Sequence, residues 1–183
     1  MSDLLVLLHG RGADERDLLP VASLVAPGAR VLAPRAPHRV GPGFGWAPEE
    51  ADVLAGDGLE AAAAEVLASI EAAGADRVLL LGFSQGGAVA VELLRLEPAR
   101  FERTVLLSSF VRRPDLEDEA AGAVRPLVFW GRGDADPLFD ERSLAGTAGW
   151  LDRCTTSEAH VYPGLTHAVS EQELADVTAF LSA

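Results

Sequence analysis

A serine between glycines is the first position in this sequence that could do chemistry. The segment GFSQG at 82–86 places Ser84 directly after the apolar run DRVLLL and before a stretch with helical spacing. A serine on a sharp turn from strand to helix projects its hydroxyl above a sheet, where the first helical amides can stabilise an oxyanion. The alternative is a glycine turn with a solvent-facing serine. The glycine spacing fits neither a phosphate-binding loop nor a dinucleotide-binding fingerprint.

A serine nucleophile also needs a base and an orienting carboxylate, and both types follow later in the chain. His167 lies in YPGLTHAVS, and Asp134 and Asp136 lie in GRGDADPLF, and each segment directly follows a predicted strand. A serine hydroxyl is a poor nucleophile until a base takes its proton. Spacing alone does not choose between the two aspartates. The segment DADPLFD is not a calcium loop, because Leu138 stands where an oxygen ligand should be and the turn glycine is missing.

The other three histidines have weaker claims to a chemical role. His9 ends the first apolar run in LLHGRG, where we expect it to hold the shape of the loop. His38 lies in a long loop, where it is either a substrate contact or an ordinary exposed histidine. His160 falls within a predicted strand. Only His167 combines the end of a strand, a glycine-containing turn and the start of a helix.

Alternating apolar and helical segments predict the elements that must position these residues. Apolar runs of five or six residues separated by stretches of helical period are typical of parallel strands with helices on both faces. The segment 34–58 is rich in proline and glycine, and we predict no regular element in it. We predict strands near 3–8, 29–33, 77–82, 103–108, 126–130 and 157–161, and helices near 15–25, 58–73, 86–97, 115–122, 139–151 and 170–181. The candidate residues then fall on loops at the carboxyl edge of the sheet, where such folds bind ligands.

Composition limits the classes of protein and partner. The 183 residues indicate one domain, 1–183, and the net charge of −13 argues against a nucleic-acid partner. The single cysteine, Cys154, forms no internal disulfide and gives no metal signature. No apolar run approaches the roughly 18 residues of a membrane helix, and the first residues do not resemble a signal peptide. We therefore expect a cytoplasmic protein without a metal ion or a membrane span.

Four segments together resemble a known family. LLHGRGADERDLLP, LLLGFSQGGAVAVELL, GRGDADPLF and GLTHAVSEQEL, in this order and spacing, resemble the phospholipase/carboxylesterase family of small α/β-hydrolases, which includes the acyl-protein thioesterases. The resemblance spans nearly the whole chain. It implies a compact α/β-hydrolase fold of about six mostly parallel strands, with helices on both faces and no lid domain.

The resemblance also implies roles for individual residues. Ser84 would be the nucleophile, His167 the base, and Asp136, directly before Pro-Leu, the orienting acid. The backbone N–H groups of Arg11 and Gln85 would form the oxyanion hole.

The same resemblance implies a substrate pocket, which Trp46, Phe110 and Leu138 would shape. Each of these three could equally be a packing residue. The thioesterases commonly carry leucine where this chain has Arg11. An arginine there suits an anionic substrate, or else it points to solvent or pairs with Asp14.

The function implied is that of a cofactor-independent serine hydrolase, a carboxylesterase or thioesterase that cleaves small-molecule esters or thioesters through an acyl-enzyme. A carbon–carbon hydrolase or a perhydrolase would use the same three side chains. A ligand-binding or receptor protein built on a hydrolase scaffold is the alternative from a different class. Members of the family often form dimers, so the resemblance also implies a homodimer as a possible partner arrangement.

Overall fold

Six parallel strands form the central sheet of this protein. The computed structural model describes residues 3–48 and 58–183. In chain order its elements are β1 (Leu4–Leu8), α1 (Leu19–Val25), β2 (Arg30–Leu32), β3 (His38–Val40), β4 (Gly43–Gly45), α2 (Leu59–Ala73), β5 (Val78–Phe83), α3 (Gln85–Leu96), a 3₁₀ turn (Pro98–Arg100), β6 (Arg103–Leu107), α4 (Glu119–Val124), β7 (Leu127–Gly133), α5 (Glu141–Cys154), β8 (Thr156–Tyr162) and α6 (Glu171–Ser182). The sheet order is β2-β1-β5-β6-β7-β8, with every neighbouring pair parallel. The predicted α/β fold is confirmed.

The sheet carries a hydrophobic core on each face. In β1 all five residues are buried, because the strand lies inside the sheet and helices cover both sides of it. Its alternate side chains separate accordingly: Leu5 and Leu7 pack in the cluster that includes apolar residues of α1 and α6, whereas Leu4, Val6 and Leu8 join the cluster of α2, α3 and α5. None of the helices in the described part of the chain combines the length and apolar character that crossing a bilayer requires.

The segment 34–58 differs from the prediction. It contains a short antiparallel hairpin of β3 and β4, whose turn includes Gly41 at φ 55°. The hairpin is stabilised by a distant loop, since Gly12 N–H donates to the Phe44 carbonyl at 2.7 Å and Phe44 N–H donates to the Ala13 carbonyl at 2.8 Å. Strands of three residues carry too little periodicity to be predicted when their partner lies far away in the chain. Residues 49–57 of the segment lie outside the described residues.

Helix α1 also differs slightly from the prediction, since it begins at Leu19 rather than near residue 15. Pro20 lies in its first turn, where a missing N–H costs no helical hydrogen bond. The residues before it form turns, with Asp17 N–H donating to the Asp14 carbonyl at 3.1 Å.

A buried arginine anchors the loop that follows β6. The guanidinium of Arg95 on α3 donates to Glu92 at 2.7 Å, to Asp118 at 2.9 Å and to the Arg112 carbonyl at 2.8 Å. The guanidinium also donates to the Arg113 carbonyl at 3.1 Å, and these four acceptors exceed the three N–H donors that a lysine could offer. The anchored loop carries Phe110 to the carboxyl edge of the sheet.

Candidate active site

Ser84 occupies a sharp turn between β5 and α3. Its backbone has φ 53° and ψ −121°, a conformation that costs a non-glycine residue on the order of 1–3 kcal/mol. Two hydrogen bonds hold the turn: Ser84 N–H donates to the Leu107 carbonyl at 2.9 Å, and the Ser109 hydroxyl donates to the Ser84 carbonyl at 2.8 Å. The strained turn brings the Ser84 hydroxyl to the carboxyl edge of the sheet.

The glycines on either side of Ser84 are required by close backbone approach. A Cβ added at Gly82 would lie 2.5 Å from the Gly86 carbonyl oxygen, and one added at Gly86 would overlap the Leu8 carbonyl. Backbone atoms cannot move aside as a flexible side chain can. The start of α3 therefore sits against the end of β1 only because residue 86 has no side chain.

Replacing Gly86 by alanine should destabilise the protein by about 2 kcal/mol or more, because the overlap forces β1 and α3 apart. Gly149→Ala in α5 is the matched control. Its added Cβ finds no neighbour closer than Arg153 Nη1 at 3.5 Å, so it should leave stability unchanged or raise it by up to about 1 kcal/mol. The free energies of unfolding of the wild type and both variants, measured by urea denaturation, test this prediction. Equal effects at the two positions would contradict the close approach at Gly86.

His167 joins the serine to a carboxylate. Its Nε2 lies 2.9 Å from Ser84 Oγ and its Nδ1 lies 2.8 Å from Asp136 Oδ2. The ring packs beside Phe83 and Phe139, with centroids 5.0 and 5.7 Å away. Because a carboxylate only accepts hydrogen bonds, Nδ1 carries the proton and Nε2 accepts from the serine hydroxyl. These three sequence-predicted residues thus lie in one hydrogen-bonded chain.

The geometry distinguishes the two aspartates between which spacing alone could not choose. Asp136 has a side chain only 3% exposed, and its second oxygen accepts from Leu138 N–H at 3.0 Å. Asp134 instead accepts from Gly164 N–H at 2.6 Å and so holds the turn that precedes His167. Asp136 contacts the imidazole directly, whereas Asp134 supports the loop that carries it.

The candidate oxyanion residues border the same cavity as the serine. This cavity has a volume of about 360 Å³ and is lined by Arg11, Ser84, Gln85, Phe110, Leu138, Phe139 and His167. Gln85 is the first residue of α3, so its N–H has no acceptor within the helix and is available to an oxyanion. Its side-chain oxygen accepts from Trp46 N–H at 2.9 Å, which fixes the start of the helix against the loop after β4.

The remaining predicted pocket residues divide into two groups. Phe110 and Leu138 line the cavity, the first buried and the second 56% exposed. Trp46 is not among the lining residues; it is buried and donates from Nε1 to the His9 carbonyl at 2.8 Å, which is the packing alternative. Sequence reasoning missed Phe139, although its place beside Leu138 in DADPLFD was a usable signal. Its ring lies 5.5 Å from that of Phe110 and completes an aromatic wall.

The histidines with weaker claims lie outside the cavity lining. His38 is half-buried in β3. His160, in β8, stacks on Phe129 of the neighbouring strand β7, with ring centroids 4.7 Å apart. His9 is buried at the end of β1, and both of its ring nitrogens are hydrogen-bonded.

A buried carboxyl group lies in the first turn of α6, just after the His167 loop. Glu173 is fully buried beside Gly131, and neither carboxyl oxygen has a hydrogen-bond partner among the described residues. Its backbone N–H donates to Ser170 Oγ at 3.1 Å, which caps the helix. Burial raises the pKa of Glu173 from 4.5 to about 7.

Glu173→Gln should remove part of the pH dependence of folding stability. A carboxyl whose folded pKa lies above its unfolded value favours folding at acid pH. That contribution is lost as the pH rises from about 4.5 to about 7. At pH 8 we expect the free energy of unfolding of the variant to exceed that of the wild type by up to about 3 kcal/mol. The difference should vanish at low pH. Glu171→Gln, an exposed charge in the same turn, is the control. Parallel stability curves for wild type and Glu173→Gln, from denaturation across this range, would contradict the prediction.

Comparison with known proteins gives matches to esterases and thioesterases. A family model described as phospholipase/carboxylesterase matches residues 60–183. Acyl-protein thioesterase 1 of Debaryomyces hansenii is 31% identical over 113 residues, which cover 58% of this chain and 48% of that protein. The corresponding protein of Cryptococcus neoformans is 30% identical over 122 residues, which cover 58% of this chain and 51% of that one. The chain thus spans about half the length of the curated relatives it matches.

Solved structures cover the chain more completely. Esterase PE8 is 28% identical with a TM-score of 0.82, covering 99% of this chain and 92% of its own. The carboxylesterase from Mesorhizobium loti is 23% identical with a TM-score of 0.83, covering 99% and 88% respectively, and at that identity it shows the fold alone.

Proposed function

Because the chain belongs to the phospholipase/carboxylesterase family, we propose that it is a serine hydrolase that cleaves carboxylic esters or thioesters through an acyl-enzyme. The observation that carries the proposal is the hydrogen-bonded chain from Ser84 through His167 to Asp136, assembled from three separate loops. The names of the relatives point the same way. No cofactor is needed for this chemistry.

In the first half of the reaction Ser84 Oγ attacks the substrate carbonyl carbon while His167 Nε2 takes the hydroxyl proton. The carbonyl oxygen becomes an oxyanion, which accepts hydrogen bonds from the N–H groups of Arg11 and Gln85. Asp136 holds Nδ1–H and stabilises the imidazolium that forms. The tetrahedral intermediate then collapses, the bond to the leaving alcohol or thiol breaks, and that group leaves with the proton from Nε2.

In the second half water takes the place of the leaving group. His167 removes a proton from water as it attacks the acyl carbon, and the second tetrahedral intermediate uses the same two amides. Collapse of that intermediate breaks the bond to Ser84 Oγ, which recovers its proton from His167. The products are a carboxylic acid and the regenerated serine.

The shape of the cavity favours a short acyl group. Its volume of about 360 Å³ is near the lower end of the range for small-molecule sites. Phe110 and Phe139 supply an apolar wall, and Leu138, which also lines the cavity, is more than half exposed. We therefore expect short-chain esters and thioesters to be turned over faster than long-chain ones.

A fluorophosphonate probe tests the proposal directly. We expect one adduct by intact mass, mapped to the peptide that carries Ser84, and turnover of short p-nitrophenyl esters or acyl thioesters. A folded protein that takes no label and hydrolyses neither class would contradict the proposal and favour ligand capture on the same scaffold. Labelling without ester or thioester turnover would contradict the proposed substrate class and favour a carbon–carbon hydrolase or a perhydrolase.

A further inference from the structure

His9 has a defined hydrogen-bonding arrangement although it takes no part in the proposed reaction. Its ring is 2% exposed, with Nδ1 lying 2.8 Å from the Gly10 carbonyl oxygen and Nε2 lying 3.2 Å from Ala36 N. A carbonyl can only accept and a backbone N–H can only donate. The ring is therefore neutral, with its proton on Nδ1 and its lone pair on Nε2.

The bond from Nδ1 fixes the direction of the next peptide. In a trans peptide the carbonyl and the following N–H point in opposite directions, and the Gly10–Arg11 peptide is trans. The Gly10 oxygen is held by the imidazole and also by Ala13 N–H at 3.2 Å. Arg11 N–H must then point away from the His9 ring.

That direction matters because this peptide lies beside the serine. A Cβ built on Gly10 would come within 3.6 Å of Ser84 Cβ, and Arg11 lines the cavity together with Ser84. Rotation of this one peptide would replace an N–H donor with a carbonyl oxygen facing the developing negative charge. The same rotation would break the bond between Gly10 and His9.

The hairpin braces the same peptide from the other side. Trp46 Nε1–H donates to the His9 carbonyl at 2.8 Å, and its ring lies 5.2 Å from the imidazole. Gly12 N–H donates to the Phe44 carbonyl at 2.7 Å. Residues on both sides of the Gly10–Arg11 peptide are thus fixed to β4 and its flank.

We infer that His9 is a positioning residue that aims the Arg11 N–H at the oxyanion, a role that rests on the proposed function of the site. Its Nδ1–H side serves the oxyanion hole, and its Nε2 side ties the loop after β2 in place. The two sides can be removed separately, since an asparagine side chain reaches the position of Nδ1 and a glutamine side chain reaches that of Nε2.

His9→Gln keeps an acceptor for Ala36 N–H and loses the donor to Gly10. We expect kcat to fall about 10²-fold while KM changes little, the effect of losing one oxyanion donor. His9→Asn keeps the donor to Gly10 and loses the acceptor, so kcat should stay within about 10-fold of the wild type even if its Tm falls further. His160→Gln is the control for loss of a histidine and should leave kcat unchanged. Losses of kcat that follow Tm in both His9 variants would overturn the inference.

Nuclear magnetic resonance gives a readout that does not depend on turnover. The His9 ring should show Nδ1–H and a bare Nε2, and the Arg11 amide resonance should move in His9→Gln but not in His9→Asn. A His9 ring protonated on Nε2 would overturn the inference even in an active enzyme. So would an Arg11 amide resonance that shifts in neither His9→Gln nor His9→Asn. A protein with the expected spectra that hydrolyses no ester would contradict the proposed function while supporting the positioning by His9.

Discussion

Ser84→Ala should lower kcat for ester hydrolysis by about 10⁶-fold, the loss expected when the serine or the histidine of a catalytic triad is removed. The variant lacks the hydroxyl that forms the acyl-enzyme in the proposed mechanism, while His167, Asp136 and the two amides remain. Residual catalysis would come from binding and the oxyanion hole alone. The measurement is steady-state hydrolysis at high enzyme concentration, with intact mass recorded after incubation with the fluorophosphonate.

Two controls keep this result interpretable. Ser69→Ala removes an exposed hydroxyl from α2 and should retain full activity and full labelling. The Ser84→Ala protein should unfold at a temperature close to that of the wild type, because alanine and serine face the same backbone cost at φ 53°. Turnover of a folded Ser84→Ala protein within 10-fold of the wild type would exclude Ser84 as the nucleophile.

Asp136→Asn should lower kcat by about 10⁴-fold without disturbing the fold. The reason is visible in the hydrogen bonds of the carboxylate. Leu138 N–H donates to one oxygen, so an asparagine must place its carbonyl there and turn its NH₂ toward His167 Nδ1. Nδ1 can then only accept, and the ring proton moves to Nε2, where it faces the Ser84 hydroxyl. A base that already carries the proton cannot take one.

Asp134→Asn is the matched control, because it makes the same change two residues earlier. Its carboxylate accepts from Gly164 N–H at 2.6 Å and has no contact with the imidazole. We expect about 1 kcal/mol loss of stability and a change in kcat of less than about 10-fold. Kinetic and unfolding measurements on both variants separate the two roles. Equal losses of kcat would contradict the assignment of Asp136.

Much of the site could be predicted because its residues follow strongly patterned elements. The strand ending at Phe83 is a continuous apolar run, and the glycine spacing around Ser84 reflects a backbone approach that tolerates no side chain. The choice between Asp134 and Asp136 could not be made from spacing. It depends on the path of the loop, where Ala135 N–H donates to the Leu165 carbonyl at 3.1 Å and sends the flanking side chains to different partners.

Other features depend on contacts between distant segments, which no local pattern carries. The hairpin exists because Phe44 pairs with Ala13, and the same docking buries Trp46 instead of leaving it in the cavity. The sequence marks Glu173 as a residue near a helix start. Its burial beside Gly131 follows from how α6 lies on the sheet. Sequence patterns thus predicted most of the elements and the candidate residues of the site, while the choice between the two aspartates and the contacts that support the site required tertiary structure.

The strand order has a consequence for when the candidate active site can assemble during synthesis. β1 is made first, yet its full-length neighbour in the sheet is β5, and Ser84 Oγ and His167 Nε2 meet across 83 residues of chain. Contacts of such high sequence separation slow folding, because loop-closure entropy must be overcome before they form. A ribosome-bound chain that already exposes Ser84 has not yet made His167. The proposed nucleophile is therefore made well before its proposed base, and the hydrogen bond between them can form only after residue 167 has been synthesised.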